Sequence, residues 1–132
     1  MLKDINLVNS IAIAIGAVPG ALSRYYITEW CKKNFGTKFP YGTFFINISG
    51  CLVMGFFLTL NSEIKSFPVE VQLMLATGFL GAYTTFSTYE FDTLTLWRGG
   101  KVAATIFYWA GSAISGVISI LLGVFMAQLV SL

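Results

Sequence analysis

Residues 81–91 read GAYTTFSTYEF, a window that crowds hydroxyl and aromatic side chains together inside a strongly apolar chain. Gly81 and Ala82, with Gly78 shortly before them, weaken a helix here, and the hydroxyls that follow can bond the freed backbone groups. Non-helical backbone at membrane depth is tolerated only where it is buried in protein or lines water. The window therefore predicts a helix broken in mid-membrane, whose carbonyl oxygens and helix ends are suited to holding ions.

The rest of the chain places this window in a membrane protein. Of 132 residues, 56% are hydrophobic and only 11% are charged, whereas a soluble domain carries roughly 25% charged residues. A membrane crossing needs ~20 apolar residues, and the expected spans cover residues 5–27, 41–60, 68–97 and 102–131. We therefore predict an all-α, multi-pass protein of the cell membrane. It forms one transmembrane domain over residues 1–132, with the third of its four helices broken near 81–85.

The same composition argues against several other classes of function. The chain has no histidine and a net charge of only +2, and we find no nucleophile–base pair or phosphate-binding loop. Neither an enzyme nor a nucleic-acid-binding protein is expected. The two cysteines lack metal-ligand spacing, and we interpret Cys51 as a small filler within a helix and Cys31 as a connector residue.

Polar residues within the apolar spans are more informative, because each is costly in lipid unless it is paired or functional. Asn47 lies in the middle of the second span, where an interhelical hydrogen bond is the simpler interpretation. Phe86 and Tyr89 share a helix face beyond the break, and their electropositive ring edges can contact a small anion, although core packing would also explain them. In the fourth span, spacings of four, three and four place a set of hydroxyls on one face: Tyr108, Ser112, Ser115 and Ser119.

Three segments carry a resemblance to a known family. GAVPGALSRY (16–25), YGTFFINISG (41–50) and GFLGAYTTFSTY (78–89) resemble the signature segments of the CrcB, or Fluc, family of fluoride channels. The resemblance implies a fluoride-selective channel that passively exports cytoplasmic fluoride and so lowers its toxicity. It also implies an antiparallel, dual-topology dimer with two pores, and a structural sodium ion at the dimer centre that is not transported.

The resemblance also assigns roles to individual positions. Asn47 and Phe86 match pore residues, Tyr89 stands where a second phenylalanine is common, and Arg24 matches the arginine that closes the first-helix motif. Because Arg24 lies near the end of its span, we interpret it either as a vestibule residue that attracts anions or as an interfacial snorkelling residue. Gly81 and Thr84 match the positions whose backbone carbonyls hold sodium. The remaining pore hydroxyls are assigned to Thr85, Thr88, Tyr108, Ser112 and Ser115, with Ser119 as an alternative to Ser115 because Gly116 stands where the family has a hydroxyl.

Two other functions fit a small four-helix membrane protein. A small multidrug-type, dual-topology transporter would favour an acidic residue in its first helix, and residues 5–27 contain none. A non-transporting membrane scaffold subunit has no need of polar residues within the membrane. Neither alternative accounts for a broken third helix that carries hydroxyls and rings.

The basic residues are distributed unevenly between the two expected sides of the membrane. Lys3 and Lys65 fall on the side of the termini, and the other six lysines and arginines fall on the opposite side. Basic residues in short loops tend to remain cytoplasmic, so a protein that inserts both ways should show little bias. We favour a homodimer, with pairing to an oppositely oriented paralogue as the alternative.

Overall fold

The structure, a computed structural model, describes residues 6–64 and 67–131, and the regular elements within them are all helices. Three helices are long and apolar enough to cross a membrane: α1 (Leu7–Phe35), α2 (Tyr41–Ile64) and α6 (Val102–Val130). Between α2 and α6 lies a segmented region, residues 69–98. It consists of α3 (Val69–Gln72), a π-helix (Leu73–Leu80), α4 (Gly81–Tyr83) and α5 (Phe86–Arg98).

Helix α1 extends two turns beyond the expected end of the first span at residue 27. Lys32 and Lys33 lie in its last turn, where positive charge is favourable beside the carbonyl end of a helix. Gly36 then ends the helix with a φ of 79°, in the left-handed region that glycine tolerates. The interpretation of Cys31 as a connector residue is therefore wrong, since Cys31 lies within α1 and is only 4% exposed.

Glycines bring the backbone of α1 directly against the π-helix. A Cβ atom added to Gly16 would collide with the Met74 carbonyl oxygen, and one on Gly20 would collide with that of Phe79. From the other side, a Cβ on Gly78 would collide with the Ile13 carbonyl oxygen. Small residues permit such close approach in membranes, where the hydrophobic effect does not drive helices together.

A second glycine seam joins α2 to α6. Gly55 lies against the Ile120 carbonyl, and Gly123 lies against the Leu52 carbonyl. The α1–α2 and α5–α6 connections also meet, since Lys101 Nζ donates to the Lys38 carbonyl at 3.3 Å. The protomer is thus built from two tightly packed pairs, α1 with residues 69–83 and α2 with α6. Lys3 and Lys65, on which the expected charge bias depends, lie outside the described residues.

Candidate functional site: a groove beside an extended junction

Two residues with extended backbone separate α4 from α5. Thr84 has φ −80° and ψ 158°, and Thr85 has φ −153° and ψ 116°. Thr84 still closes the preceding turn, because its N–H and its Oγ1 both donate to the Leu80 carbonyl, at 3.0 and 2.9 Å. Thr85 Oγ1 caps α5 by accepting from the Thr88 N–H at 3.2 Å. The helix thus stops and restarts within four residues.

Asn47 on α2 holds this junction through both ends of its side-chain amide. Its Nδ2 donates to the Thr85 carbonyl at 3.0 Å, and its Oδ1 accepts from the Thr85 N–H at 2.8 Å. A side-chain amide offers the same donor and acceptor as a peptide group, and its Oδ1 gives the Thr85 N–H the acceptor that a continuous helix would have provided. The residue predicted to line a pore is therefore also the residue that fixes the shape of the junction.

The junction deprives several carbonyl groups of their helical donors, those of Gly81 and Thr84 among them. In a continuous helix the Thr85 N–H would bond the Gly81 carbonyl, and the Thr88 N–H would bond the Thr84 carbonyl. Both N–H groups donate to side-chain oxygens instead, on Asn47 and Thr85. Oxygen ligands at the carbonyl end of a helix suit a hard cation. The carbonyls of Gly81 and Thr84 consequently fit the sodium ion that the sequence resemblance implies.

Beside the junction lies an open groove of about 610 Å³. Phe86 stands at its edge with 74% of its surface exposed, whereas Tyr89 is only 7% exposed. Most of the surface is apolar, and the polar groups are almost all uncharged amides and hydroxyls. The lining residues are Asn47, Gly50, Cys51 and Met54 from α2; Thr84 and Thr85 from the junction; Phe86, Tyr89 and Glu90 from α5; and Trp109, Ser112, Ala113, Gly116, Val117 and Ile120 from α6.

Ser112 contributes an uncommitted hydroxyl to the groove. Its Oγ is buried and has no hydrogen-bond partner among the described residues. Several hydroxyls elsewhere bond back to their own helix, such as Ser49 to the Phe45 carbonyl and Thr93 to the Tyr89 carbonyl, so the Ser112 donor is unusual in remaining available. Asn47 adds another donor, because one of its two amide N–H groups has no acceptor among the described residues.

The other hydroxyls expected along α6 lie away from the groove. Tyr108 is fully buried and its hydroxyl donates to Asp92 Oδ2 at 3.3 Å. Ser119 is buried and Ser115 is half-buried, and neither lines the groove as described. The predicted face therefore exists, but among its four members Ser112 alone opens into the groove.

Tyr89 uses the hydroxyl that distinguishes it from phenylalanine to join two helices. Its OH donates to the Trp109 carbonyl on α6 at 2.7 Å. Its ring lies 5.7 Å from that of Phe86 and 5.4 Å from that of Tyr108, measured between centroids. The two rings predicted for the pore are thus neighbours, but Phe86 is the more accessible of the pair.

A smaller cavity of about 190 Å³ lies where the α1–α2 connection approaches α5. Thr88 and Asp92 line it together with Thr43, so Thr88 faces this cavity and not the groove. Nothing in the sequence indicated that Asp92 would accept a hydrogen bond from the Tyr108 hydroxyl, since the two residues belong to different expected spans. Arg24 lies half-buried on α1, a helix that supplies none of the residues described around either the groove or its junction.

Helices long and apolar enough to cross a membrane, together with a groove at a helix junction whose described lining carries one charged side chain, indicate a multi-pass membrane protein. The chain belongs to the CrcB family, since the model described as "CrcB-like protein, Camphor Resistance (CrcB)" matches residues 11–124.

Curated relatives resemble the chain over nearly its full length. It is 52% identical to the "Fluoride-specific ion channel FluC" of Trichormus variabilis over 130 residues, which cover 98% of this chain and 95% of the relative. Proteins with the same name from a Synechococcus species and from Chloroflexus aurantiacus are 48% and 46% identical. Those alignments cover 89% and 88% of this chain, and 91% and 92% of the respective relatives.

Proposed function

We propose that this protein is a fluoride-selective channel that lets cytoplasmic fluoride leave the cell passively, down its electrochemical gradient. The names of its relatives support fluoride as the permeant ion. The observation that carries the proposal is Ser112, which lines the groove with Asn47 and Phe86 and whose buried hydroxyl has no hydrogen-bond partner among the described residues. An anion that enters the groove would complete this hydroxyl's hydrogen bonding.

Uncharged donors suit a small, strongly hydrated anion that must also be released. Conduction requires binding strong enough to replace water and weak enough to let the ion leave. The Ser112 hydroxyl, the second N–H of Asn47 and the ring edge of Phe86 offer partial positive charge only. A buried lysine or arginine at this place would instead hold the anion tightly. The groove thus favours passage over retention.

Gly81 and Thr84 are the residues that we propose to hold a structural sodium ion. Their carbonyl groups have lost the helical donors that Thr85 and Thr88 would provide; Gly81 begins the short helix α4 and Thr84 directly follows it. A bound cation would satisfy these oxygens and offset the charge of an anion nearby. Two copies that each present this junction would share the ion if they meet at the junction.

We further propose that the segmented region is a fourth membrane crossing and that the channel is an antiparallel homodimer. Residues 69–98 number thirty, enough for a hydrocarbon core of ~30 Å at ~1.5 Å per helical residue. Helix α5 exposes large apolar rings at Phe86, Phe91 and Trp97. The groove is open on one side and presents polar atoms at membrane depth, where lipid cannot satisfy them. A second copy would cover it and complete the pore.

Release of fluoride from loaded vesicles that contain the purified protein tests the proposed function. A fluoride electrode should record rapid release once a potassium ionophore removes the opposing voltage, and chloride release under matched conditions should be far slower. Equal release of the two halides would contradict a fluoride-selective channel. Cross-linking of the reconstituted protein reports the dimer separately, so that an inactive monomer and an inactive dimer are distinguished.

A further inference from the structure

The groove contains one feature that its proposed function does not explain, the carboxylate of Glu90. Among the residues described as lining the groove, Glu90 alone carries a charge. It follows Phe86 by four positions on α5, so both side chains occupy the same helix face. Both are exposed on the protomer. A negative charge therefore stands about one helical turn from the ring that is proposed to contact fluoride.

The position of Glu90 along α5 places its charge at membrane depth. The junction at Thr84 and Thr85 lies halfway along residues 69–98, which puts it near the bilayer centre if this region crosses the membrane as proposed. Glu90 is five residues beyond Thr85, or about 7 Å along the helix axis, while half of the hydrocarbon core is ~15 Å thick. An ionised side chain at that depth must face water or an opposite charge.

Contacts within the protomer do not neutralise this charge. Over residues 6–64 and 67–131, the recorded ion pair joins Lys32 to Glu29, and Glu90 belongs to none. Neither α2 nor α6 contributes a basic side chain to the described lining of the groove. Asp92, the nearest acid on the same helix, is turned toward the smaller cavity and Tyr108. Glu90 is therefore suited to act on whatever occupies the groove.

We propose that Glu90 is an electrostatic barrier in the ion path, a residue that sets the rate of fluoride passage. This inference rests on the proposed function. Its carboxylate lowers the local concentration of anions beside Phe86 and slows their entry. Because the repulsion depends on the charge of the ion and not on its size, it acts equally on fluoride and chloride. Selectivity then resides in Asn47, Phe86 and Ser112, and the rate resides partly in Glu90.

A charge-neutralising substitution measures the barrier directly. Wild type and Glu90→Gln are compared by initial fluoride release from neutral phospholipid vesicles at ~0.01 M ionic strength, where the Debye length is ~30 Å. Coulomb's law for a unit charge ~7 Å from the ion, at an effective dielectric constant between ~80 and ~20, gives an acceleration of about 3-fold to about 50-fold in the glutamine variant. Fluoride-over-chloride preference should not change.

Two control variants separate charge from structure. Glu90→Asp keeps the negative charge and should release fluoride at nearly the wild-type rate. Glu63→Gln makes the same chemical change at an exposed carboxylate near the end of α2, outside the groove, and should also match wild type. At ~1 M of an impermeant salt the Debye length falls to ~3 Å, so the gap between wild type and Glu90→Gln should close.

The results separate this inference from the function on which it rests. Wild-type vesicles that release no fluoride would overturn the channel and the barrier together. Wild-type release that equals or exceeds that of folded Glu90→Gln would overturn the barrier alone. So would a Glu90→Gln protein that loses its dimer, because the carboxylate would then hold the copies together. If the variant does not fold, the wild type decides: its rate must rise with impermeant salt, and a constant rate contradicts the barrier.

Discussion

The two halves of the segmented region, residues 69–83 and Phe86–Arg98, are packed in opposite ways. The first half lies against α1 through glycine contacts that bring backbone to backbone. The second half joins α6 through the Tyr89 hydroxyl and leaves Phe86 and Phe91 74% and 67% exposed. The first half is thus closely packed against the chain's own helix, whereas the second leaves two large aromatic side chains uncovered. If the chain pairs with a second copy as proposed, that copy and the ion would both meet the second half.

The largest effect is expected where the first half meets α1. Gly20→Ala would place a Cβ against the Phe79 backbone, and overpacking that backbone cannot relieve should lower the free energy of unfolding by about 3 kcal/mol. Gly111→Ala is the matched control, because a Cβ there meets no atom within 4 Å. Thermal unfolding in detergent measures both. If the two variants are equally stable, the glycine contacts do not hold the first half.

Asn47→Ala should disrupt the junction between the two halves of the segmented region. The substitution leaves the Thr85 N–H without its acceptor, at a cost of about 2 kcal/mol, and we expect fluoride release to stop. Asn34→Ala removes an exposed asparagine at the end of α1, whose Nδ2 bonds only the Trp30 carbonyl, and should release fluoride normally. If the Asn47→Ala protein conducts fluoride like wild type, Asn47 neither lines the pore nor fixes the shape of the junction.

Phe86→Ala should affect transport without affecting the fold of the protomer. A side chain that is 74% exposed contributes less than about 1 kcal/mol to stability, yet its ring edge is proposed to contact the ion. We expect fluoride release to be lost while the folded oligomer remains. Phe91→Ala is the control from the same helix, similarly exposed but outside the described groove. Equal loss in both variants would indicate a general need for aromatic surface on α5.

The smallest effect is expected for Tyr89→Phe. This change removes the hydrogen bond to the Trp109 carbonyl, worth about 1 kcal/mol, but it keeps the ring beside Phe86. Fluoride release should stay within about fivefold of wild type, since 1 kcal/mol corresponds to a factor of about five. Tyr89→Ala should abolish release. Loss of release in Tyr89→Phe would show that the α5–α6 bond, and not the ring, matters most.

The sequence predicted the helical membrane architecture because apolar length alone nearly determines it. Three of the four expected regions contain a helix that meets the length and hydropathy expected of a crossing. The third expected region does not contain one continuous helix of this kind, because residues 73–80 are π-helical and Thr84 and Thr85 are extended. Glycines in the sequence indicated weakness there, but propensity does not distinguish a widened helix from an unwound one.

The candidate site was only partly accessible from the sequence. The resemblance selected Asn47, Phe86 and Ser112, which the fold brings to one groove. It could not show that Asn47 bonds the Thr85 backbone, because hydrogen bonds between residues 38 positions apart depend on how helices rotate against each other. The burial of Tyr108 beside Asp92 likewise depends on how the helices rotate against each other. Helical spacing identifies a face, but the neighbouring helix decides which members of that face are enclosed.

The bond between Asn47 and Thr85 has a consequence for how the length of this chain can vary. The Asn47 side chain on α2 bonds the junction at Thr85. Deleting one residue between Gly42 and Asn47 would rotate the Asn47 amide by ~100° around the axis of α2. A compensating change in the first half would be needed to bring Thr85 back to it. Insertions and deletions should therefore accumulate in the connections at residues 36–40 and 99–101. Between those connections, a change in the length of α2 must be matched by a change in the residues that lead to the junction.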